Sequence, residues 1–540
     1  MPVLTTRVDP RHEDFVRNHG QMLALVEQFR ELEAKVRTHS ARKADKFHGR
    51  GQLLPRERVD RILDRGTPFL ELSTLAGYKM HDDDGKRSIS GGSNIIGIGF
   101  VQGRRCLVSA SDSAIKGGAV SPMGLRKSLR AQEVALDNRL PCINLVESAG
   151  ANLLYQSELF VEGGRIFANM ARLSAAGLPQ ITVVHGSSTA GGAYIPGLSD
   201  YVIVVKDRSK IFLAGPPLVK AALGEDADDE TLGGAQMHMT VSGTAEYMAS
   251  DDAHALQIAR EVLGKLPWDE HHPVPGPGAP SKPPRYDAEE LLGLVPVDYR
   301  QPYDVHEVIA RIVDDSDFLD FKARYGPQTV CGHARIEGQA VGIIGNNGPI
   351  FPQGAAKAGH FIQACCQSGT PIVYLQNTTG YMVGTEAETN GIVKHGSKMI
   401  QAVANATVPQ LTVLLGGSFG AGNYGMCGRS FDPRFIFAWP NARISVMGGE
   451  QAAKVMEIIT RAKFARQGVH IDDENMAKMT GGIRDKLDSE SDALFATARL
   501  WDDGVIDPRD TRRVLATTLA ICREGQARTL RPNTFGVARL

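Results

Sequence analysis

The 540-residue chain has almost no net charge: 60 Lys and Arg stand against 61 Asp and Glu, leaving a formal charge of −1. No net field therefore draws it to nucleic acid or to an anionic membrane. It has no apolar run of about 18 residues, so no membrane-spanning helix is expected. Cysteine is sparse: seven residues, an odd number, with no C-x-x-C spacing. That argues against a disulfide framework and a structural zinc site, and for a reduced intracellular protein. The N-terminus, MPVLTTRVDPRHEDF, lacks an apolar h-region and carries acids early, so the expected location is cytoplasmic. No G-x-x-x-x-G-K-[ST] occurs, which removes the P-loop. Gly97, Gly99 and Gly103 read as part of strands and do not form G-x-G-x-x-G, so a dinucleotide site is not indicated.

What is present is a repeat. Pro179–Ala193 reads PQITVVHGSSTAGGA, and Pro409–Gly425 reads PQLTVLLGGSFGAGNYG, 230 residues later. The same offset aligns PCINLVESAGA from Pro141 with PIVYLQNTTGY from Pro371. A looser pair joins Ile98–Val108 to Ala334–Ile343. A period of this size is a duplicated domain, because solenoid repeats recur every few tens of residues.

Within each copy, β-branched runs alternate with helical stretches, which predicts an α/β fold with a sheet core in each half. In the first copy, strands are expected at 107–110, 143–146, 181–184, 202–205 and 211–213, and helices near 124–138 and 163–176. Residues 12–45 carry Met22, Leu25, Val26, Phe29, Leu32 and Val36 at helical spacing, a packing arm. Residues 267–284 hold seven prolines and two glycines, a semi-extended linker in which His271 and His272 read as solvated rather than as metal ligands. The resulting division is a helical arm over 1–86, a first domain over 87–266, a linker over 267–286 and a second domain over 287–540. The stretch 450–524 reads as helical.

Each copy carries one strand running into a turn of small residues: Ser187 to Ala193 in the first, Gly416 to Gly420 and onward in the second. Such a turn lets a ligand lie against bare backbone. Two amides at a helix start can hold a developing oxyanion, a contribution of roughly 3 kcal/mol per donor. Gly416 to Gly420 also fits G-x-S-x-G around Ser418, the serine-hydrolase elbow. The histidine that such an elbow needs later in the chain would have to be His470, in a polar stretch with no evident acid. Lys116-Gly117-Gly118 and Lys394-His395-Gly396 place cations beside flexible backbone, suited to phosphate or thioester.

The blocks STAGGAYIPGLSDY, FLAGPPLVKAALGE, LGGAQMH, NTTGYMVG, KHGSKMI, GGSFGAGNYGMCGR, FAWPNARISVMGGEQAAKVM and DDGVIDPRDTRRVL resemble the carboxyltransferase (β) subunits of biotin-dependent acyl-CoA carboxylases. The likeness covers nearly the whole chain and leans to the methylcrotonyl-CoA and geranyl-CoA branch. It implies two tandem crotonase-like domains, acyl-CoA on the first and carboxybiotin on the second, with active sites between subunits of a hexamer. By the resemblance, Gly191 and Gly192 hold the thioester enolate oxygen, and Ala421 and Gly422 hold the ureido oxygen of biotin. Lys116, Gly117, Gly118, Ser148, Ala149, Gly150 and Ala190 would contact acyl-CoA. Thr378, Thr379, Gly380, Phe419 and Gly420 would contact biotin, while Phe351 and Gly354 would set acyl selectivity. No side chain need act as general base, and no metal is implied.

Biotin would arrive as carboxybiotin on a partner. Met476-Ala477-Lys478-Met479 transposes the biotin-accepting motif in helical surroundings, so the chain is not expected to carry biotin. The implied partner is an α subunit with biotin carboxylase and biotin carrier domains, and coenzyme A enters only as part of the substrate. Glu147 to Ala151 reads Glu-Ser-Ala-Gly-Ala where methylcrotonyl enzymes read Asp-Ser-Gly-Gly-Ala. Residues 345–354 also depart from the pattern after the first glycine. Other readings are a carboxyltransferase for acetyl- or propionyl-type acyl-CoA, a crotonase-type hydratase or isomerase, a serine hydrolase, and a non-catalytic acyl-CoA-binding subunit.

Overall fold

The computed structural model describes residues 3–85, 91–271, 276, 278–468 and 471–537. His272 and His470 lie outside the described residues. The chain divides into two compact units. The N unit comprises Glu31–Pro275, Ala498–Leu500 and Arg523–Leu540; the C unit comprises Met1–Arg30, Gly276–Thr497 and Trp501–Cys522. The division therefore falls inside the helix Glu13–His39, whose Met22, Val26 and Phe29 are fully buried.

The N unit is built on eight strands: β1 (Leu70–Glu71), β2 (Asn94–Val101), β3 (Arg104–Ser111), β4 (Cys142–Ser148), β5 (Gln180–Thr189), β6 (Tyr201–Val205), β7 (Lys210–Phe212) and β8 (Tyr247–Ala249). Their order is β1-β2-β3-β4-β5-β6-β8, with β7 also on β5. Pairing is antiparallel through β3 and parallel from there on. All five strands expected in this copy are present, four of them longer than read, because burial on both faces leaves no polar alternation to mark their ends. The helices Pro122–Asp137 and Gln156–Ala175 follow β3 and β4. One face of the sheet packs Ile143, Leu145, Ile181, Val183, Ile203 and Val205 against the helices Pro55–Ile62 and Asp252–Lys265.

The C unit repeats the plan with β9 (Leu319–Asp320), β10 (Thr329–Ile336), β11 (Gln339–Asn346), β12 (Ile372–Thr378), β13 (Gln410–Phe419), β14 (Phe435–Ala438) and β15 (Arg443–Ser445). The order is β14-β13-β12-β11-β10-β9, with β15 on β13. The helices Pro352–Ser368 and Ile392–Ala404 flank it, and the late helical stretch is there as Gly449–Arg466, Asp473–Ser489 and Thr511–Ala527.

The duplication extends to single contacts. Asp64 accepts from the amides of Gln102 and Gly103 and from Arg260, at 2.9, 2.7 and 2.7 Å. Asp314 accepts from Glu337, Gly338 and Arg512 at 2.9, 2.7 and 2.7 Å. Each carboxylate pins the hairpin between the two antiparallel strands, and charge-assisted bonds of this kind are the strong ones. Two buried lysines, Lys127 and Lys357, both donate to backbone carbonyls. Burial lowers the pKa of Lys127 to about 8.

Candidate active site

In each unit the central parallel strand changes neighbours partway along. β5 pairs with β6 over 181–184 and with β7 over 187–189. β13 pairs with β14 over 411–414 and with β15 over 417–419. The sheet opens at that point, at the carboxyl ends of parallel strands, where α/β folds place their ligands. A register shift marks the same place in both neighbours, between Val146 and Ser148 and between Gln376 and Thr378.

The small-residue turns sit at these openings. In the N unit, β5 runs into the helical turn Ala190–Ala193. In the C unit, β13 runs into the helix Gly420–Gly425. Ala190 has φ +53° and Gly420 has φ +52°, so both turns begin with a left-handed residue. For an alanine that conformation is strained, a cost typical of functional turns. The N–H groups that open a helical turn have no acceptor inside it, and no side chain caps either turn. Gly191 and Ala421 are exposed, while Gly192 and Gly422 are buried. A Cβ on Gly422 would lie 2.8 Å from the Gly380 Cα, whereas one on Gly192 would meet Ser148 Oγ at 3.4 Å.

Two buried hydroxyls hold the flanking loops. Ser148 Oγ donates to the Gly118 carbonyl and accepts from the Gly150 amide, both at 3.1 Å. Thr378 Oγ1 donates to the Gly348 carbonyl at 3.1 Å and accepts from Gly380 at 3.2 Å. Gly118 has no room for a side chain, since a Cβ would sit 2.0 Å from the Glu147 carbonyl. Lys116, Gly117 and Ala149 are exposed, and Lys116 pairs with Asp82, which also accepts from Tyr155 at 3.0 Å. Phe419 is buried against Tyr299, ring centroids 4.7 Å apart, and Thr379 is exposed.

The units differ in what lies beneath the turn. The N unit contains a cavity of about 720 Å³ lined by Asn144, Val146, Phe160, Gly163, Gly164 and Phe167, among others, and reaching Gly191 and Gly192. Gly163 and Gly164 have nothing within 4 Å of where a Cβ would stand. Composition gave no sign of this cavity; the adjacent glycines inside a helix were the available signal. Phe351 and Gly354 belong to the C unit and do not line it. Gly354 instead packs on Thr329, and the matching position of the first copy, Gly124, is the one that lines the cavity.

Ser418 does not suit a nucleophile. It is fully buried, and its oxygen accepts from Asn423 Nδ2 at 2.6 Å. Lys394 and His395 lie on the helix Ile392–Ala404. Lys478 lies on the helix Asp473–Ser489 and pairs with Glu474 at 2.8 Å. Among the described residues, no cluster of His, Cys, Asp and Glu is arranged to hold a metal, and no helix is long and apolar enough to cross a membrane.

Two open mixed sheets, parallel around a backbone-lined turn at the opening, define the duplicated crotonase-like α/β class. The chain belongs to the carboxyl transferase family: residues 46–536 match the model of the carboxyl transferase domain. It is 49% identical to a probable biotin-dependent acyl-coenzyme A carboxylase β2 subunit of Mycobacterium tuberculosis, over 92% of each chain. It is 47% identical to a probable mitochondrial methylcrotonoyl-CoA carboxylase β chain of Drosophila melanogaster, over 100% of this chain and 95% of that one. The crystal structure of the geranyl-CoA carboxylase β subunit of Pseudomonas aeruginosa superposes with a TM-score of 0.93 at 58% identity, covering both chains fully.

Proposed function

We propose that this chain is the carboxyltransferase subunit of a biotin-dependent acyl-CoA carboxylase. It moves a carboxyl group to a branched, unsaturated acyl-CoA of the 3-methylcrotonyl to geranyl class. The observation that carries the reading is the pairing of two like turns with one unlike cavity. Two resonance oxyanions, a thioester enolate and a ureido oxygen, call for two sets of backbone donors. Only one partner, the acyl group, calls for a deep apolar space. Gly191 and Gly192 take the enolate oxygen; Ala421, Gly422 and the Gly420 turn take the ureido oxygen. Carboxybiotin, delivered by a biotin-carrying α subunit, supplies the carboxyl group.

A cavity of about 720 Å³ falls within the usual range of ligand sites, roughly 300–1,000 Å³. A cavity of this size favours the longer, geranyl-like chain over a five-carbon one. The homo-oligomer, a hexamer in the sequence reading, and the cytoplasmic location belong to the same proposal. A hydratase or isomerase would need a free carboxylate facing the thioester. Glu147 lies against Gly186 on the strand that leads into the acyl turn, and its Oε2 is occupied by Arg58 and Ser113, each at 2.7 Å.

The test is carboxylation with the cognate biotin subunit across acetyl-, propionyl-, 3-methylcrotonyl- and geranyl-CoA. Geranyl-CoA is expected to give the highest kcat/KM. Failure with every acyl-CoA would overturn the function, and a preference for acetyl- or propionyl-CoA would overturn the substrate class.

A further inference from the structure

Beneath the acyl turn the N unit holds a buried cluster of charges that carboxyl transfer leaves without a task. Arg58, on the helix Pro55–Ile62, is 1% exposed. It donates from Nη1 to Glu147 Oε2 at 2.7 Å and from Nε to Asp252 Oδ2 at 3.2 Å. Ser113 Oγ donates to the same Glu147 oxygen at 2.7 Å. Asp252 is itself fixed by the Leu53 amide at 2.8 Å and by His185 Nδ1 at 3.0 Å.

The carboxylate stands where three segments of the half-site meet. Glu147 precedes Ser148 at the end of β4. Its Oε1 lies 2.7 Å from where a Cβ on Gly186 would be, on the part of β5 that leads into the turn. Ser113 begins the loop to Gly117 and Gly118, whose carbonyls accept from the Ala149 amide and from Ser148 Oγ, both at 3.1 Å. One side chain thus ties a helix, the lysine-glycine loop and the end of β4. The second copy has Asn377 at this place, and its Oδ1 takes only a neutral bond from the Gly417 amide, at 2.8 Å. Leu415 stands where the first copy has His185.

We propose that Glu147, held by Arg58 and Ser113, is a positioning residue that fixes the 113–118 loop against β4, so that the acyl thioester meets the Gly191 turn in a reacting orientation. This rests on reading the N unit as the acyl half. The charge is used on this side alone because a loop carrying a flexible substrate needs a firmer anchor than backbone bonding supplies. Bonds to an ionised acceptor are roughly twice as strong as neutral ones.

The experiment compares Ser113→Ala, Ser113→Thr and Glu147→Gln with wild type in the complete carboxylase. It measures kcat and KM for geranyl-CoA, the urea midpoint, and loss of carboxyl from carboxybiotin without acyl-CoA. Ser113→Ala is expected to lower kcat/KM for acyl-CoA by about tenfold, the equivalent of one charge-assisted bond. Its acyl-independent reaction should match wild type, its urea midpoint should fall only slightly, by the one lost bond, and Ser113→Thr should restore the rate. Glu147→Gln should lose more, in the acyl-dependent reaction only. Wild-type kcat/KM in Ser113→Ala, or losses that track the urea midpoint across the set, would overturn the proposal. Calorimetric binding of geranyl-CoA keeps the two failures apart. Wild type that binds but carboxylates nothing overturns the function, whereas an unaltered Ser113→Ala in a working enzyme overturns the positioning role.

Discussion

Asn144 and Tyr374 occupy the same place in the two copies, one on β4 opposite Thr182 and the other on β12 opposite Thr412. Asn144 lines the cavity of the N unit. Tyr374 is fully buried, bonded to Gln410 at 2.7 Å, and packed with Phe361, Ile362 and Met399 on the same sheet face. The helices that cover this face pack tightly in the C unit and leave a hollow in the N unit. One fold thus does two jobs: the turn is kept in both copies, and the space beneath it is kept in one.

The comparison breaks most sharply at the turns. Gly422→Val is expected to lower carboxyl transfer by about 10²- to 10³-fold, the scale of losing oxyanion donors, because its side chain would collide with Gly380. Acyl-CoA binding should survive, as calorimetry would show; normal transfer would remove the turn from the mechanism. Next comes Asn144→Tyr, which gives the first copy the second copy's filling. Transfer to geranyl-CoA should fall by about 100-fold, near the upper range for steric exclusion from an apolar pocket. Circular dichroism should remain native, and an unchanged chain-length profile would show that the acyl group lies elsewhere.

Smaller effects come from the paired hydroxyls. Ser148→Ala and Thr378→Val each remove a bridge between two backbone groups, about 1–2 kcal/mol of local stability. Ser148→Ala should raise KM for acyl-CoA, and Thr378→Val should raise KM for carboxybiotin. Equal effects of both variants on both substrates would blur the division of labour.

The mildest contrast is in pH dependence. Burial, then the nearby Arg58 charge, lowers the pKa of His185 to about 4. Its contribution to stability is full above its ordinary 6.5 and is lost as pH falls toward 4. In the C unit, burial works against the charged form of His306, but hydrogen bonds to Asp304 and Asp320 outweigh it and raise the pKa to about 9. That contribution is full below 6.5 and is lost as pH rises toward 9. Urea midpoints should therefore become less acid-sensitive in His185→Gln and less alkali-sensitive in His306→Gln. The reverse pattern would contradict these environments.

Much of this was legible in the chain. The duplication, the strands leading to Gly191 and Gly422, and the α/β class follow from repeated apolar runs ending in glycine. Those features are local, and the physics that reads them is local too. The elbow-like Ser418 was a false lead of the same kind, since spacing cannot reveal that a neighbouring amide occupies its oxygen. Phe351 and Gly354, expected to set acyl selectivity, lie in the C unit, while Gly124 at the matching position of the first copy lines the cavity; the two copies look alike until their packing is compared. Glu147 stood in the sequence as a departure from a pattern, but its partners Arg58 and Ser113 lie 89 and 34 residues away along the chain.

The sequence by itself determined that there would be two sheets, each ending in a turn with bare amides, because glycine placement and β-branched runs act on the nearest residues. Only the tertiary structure decided which sheet would be hollow and which carboxylate would be anchored. Those outcomes depend on the summed volumes of side chains from distant segments meeting on one face, and on charges that become costly only once water is gone.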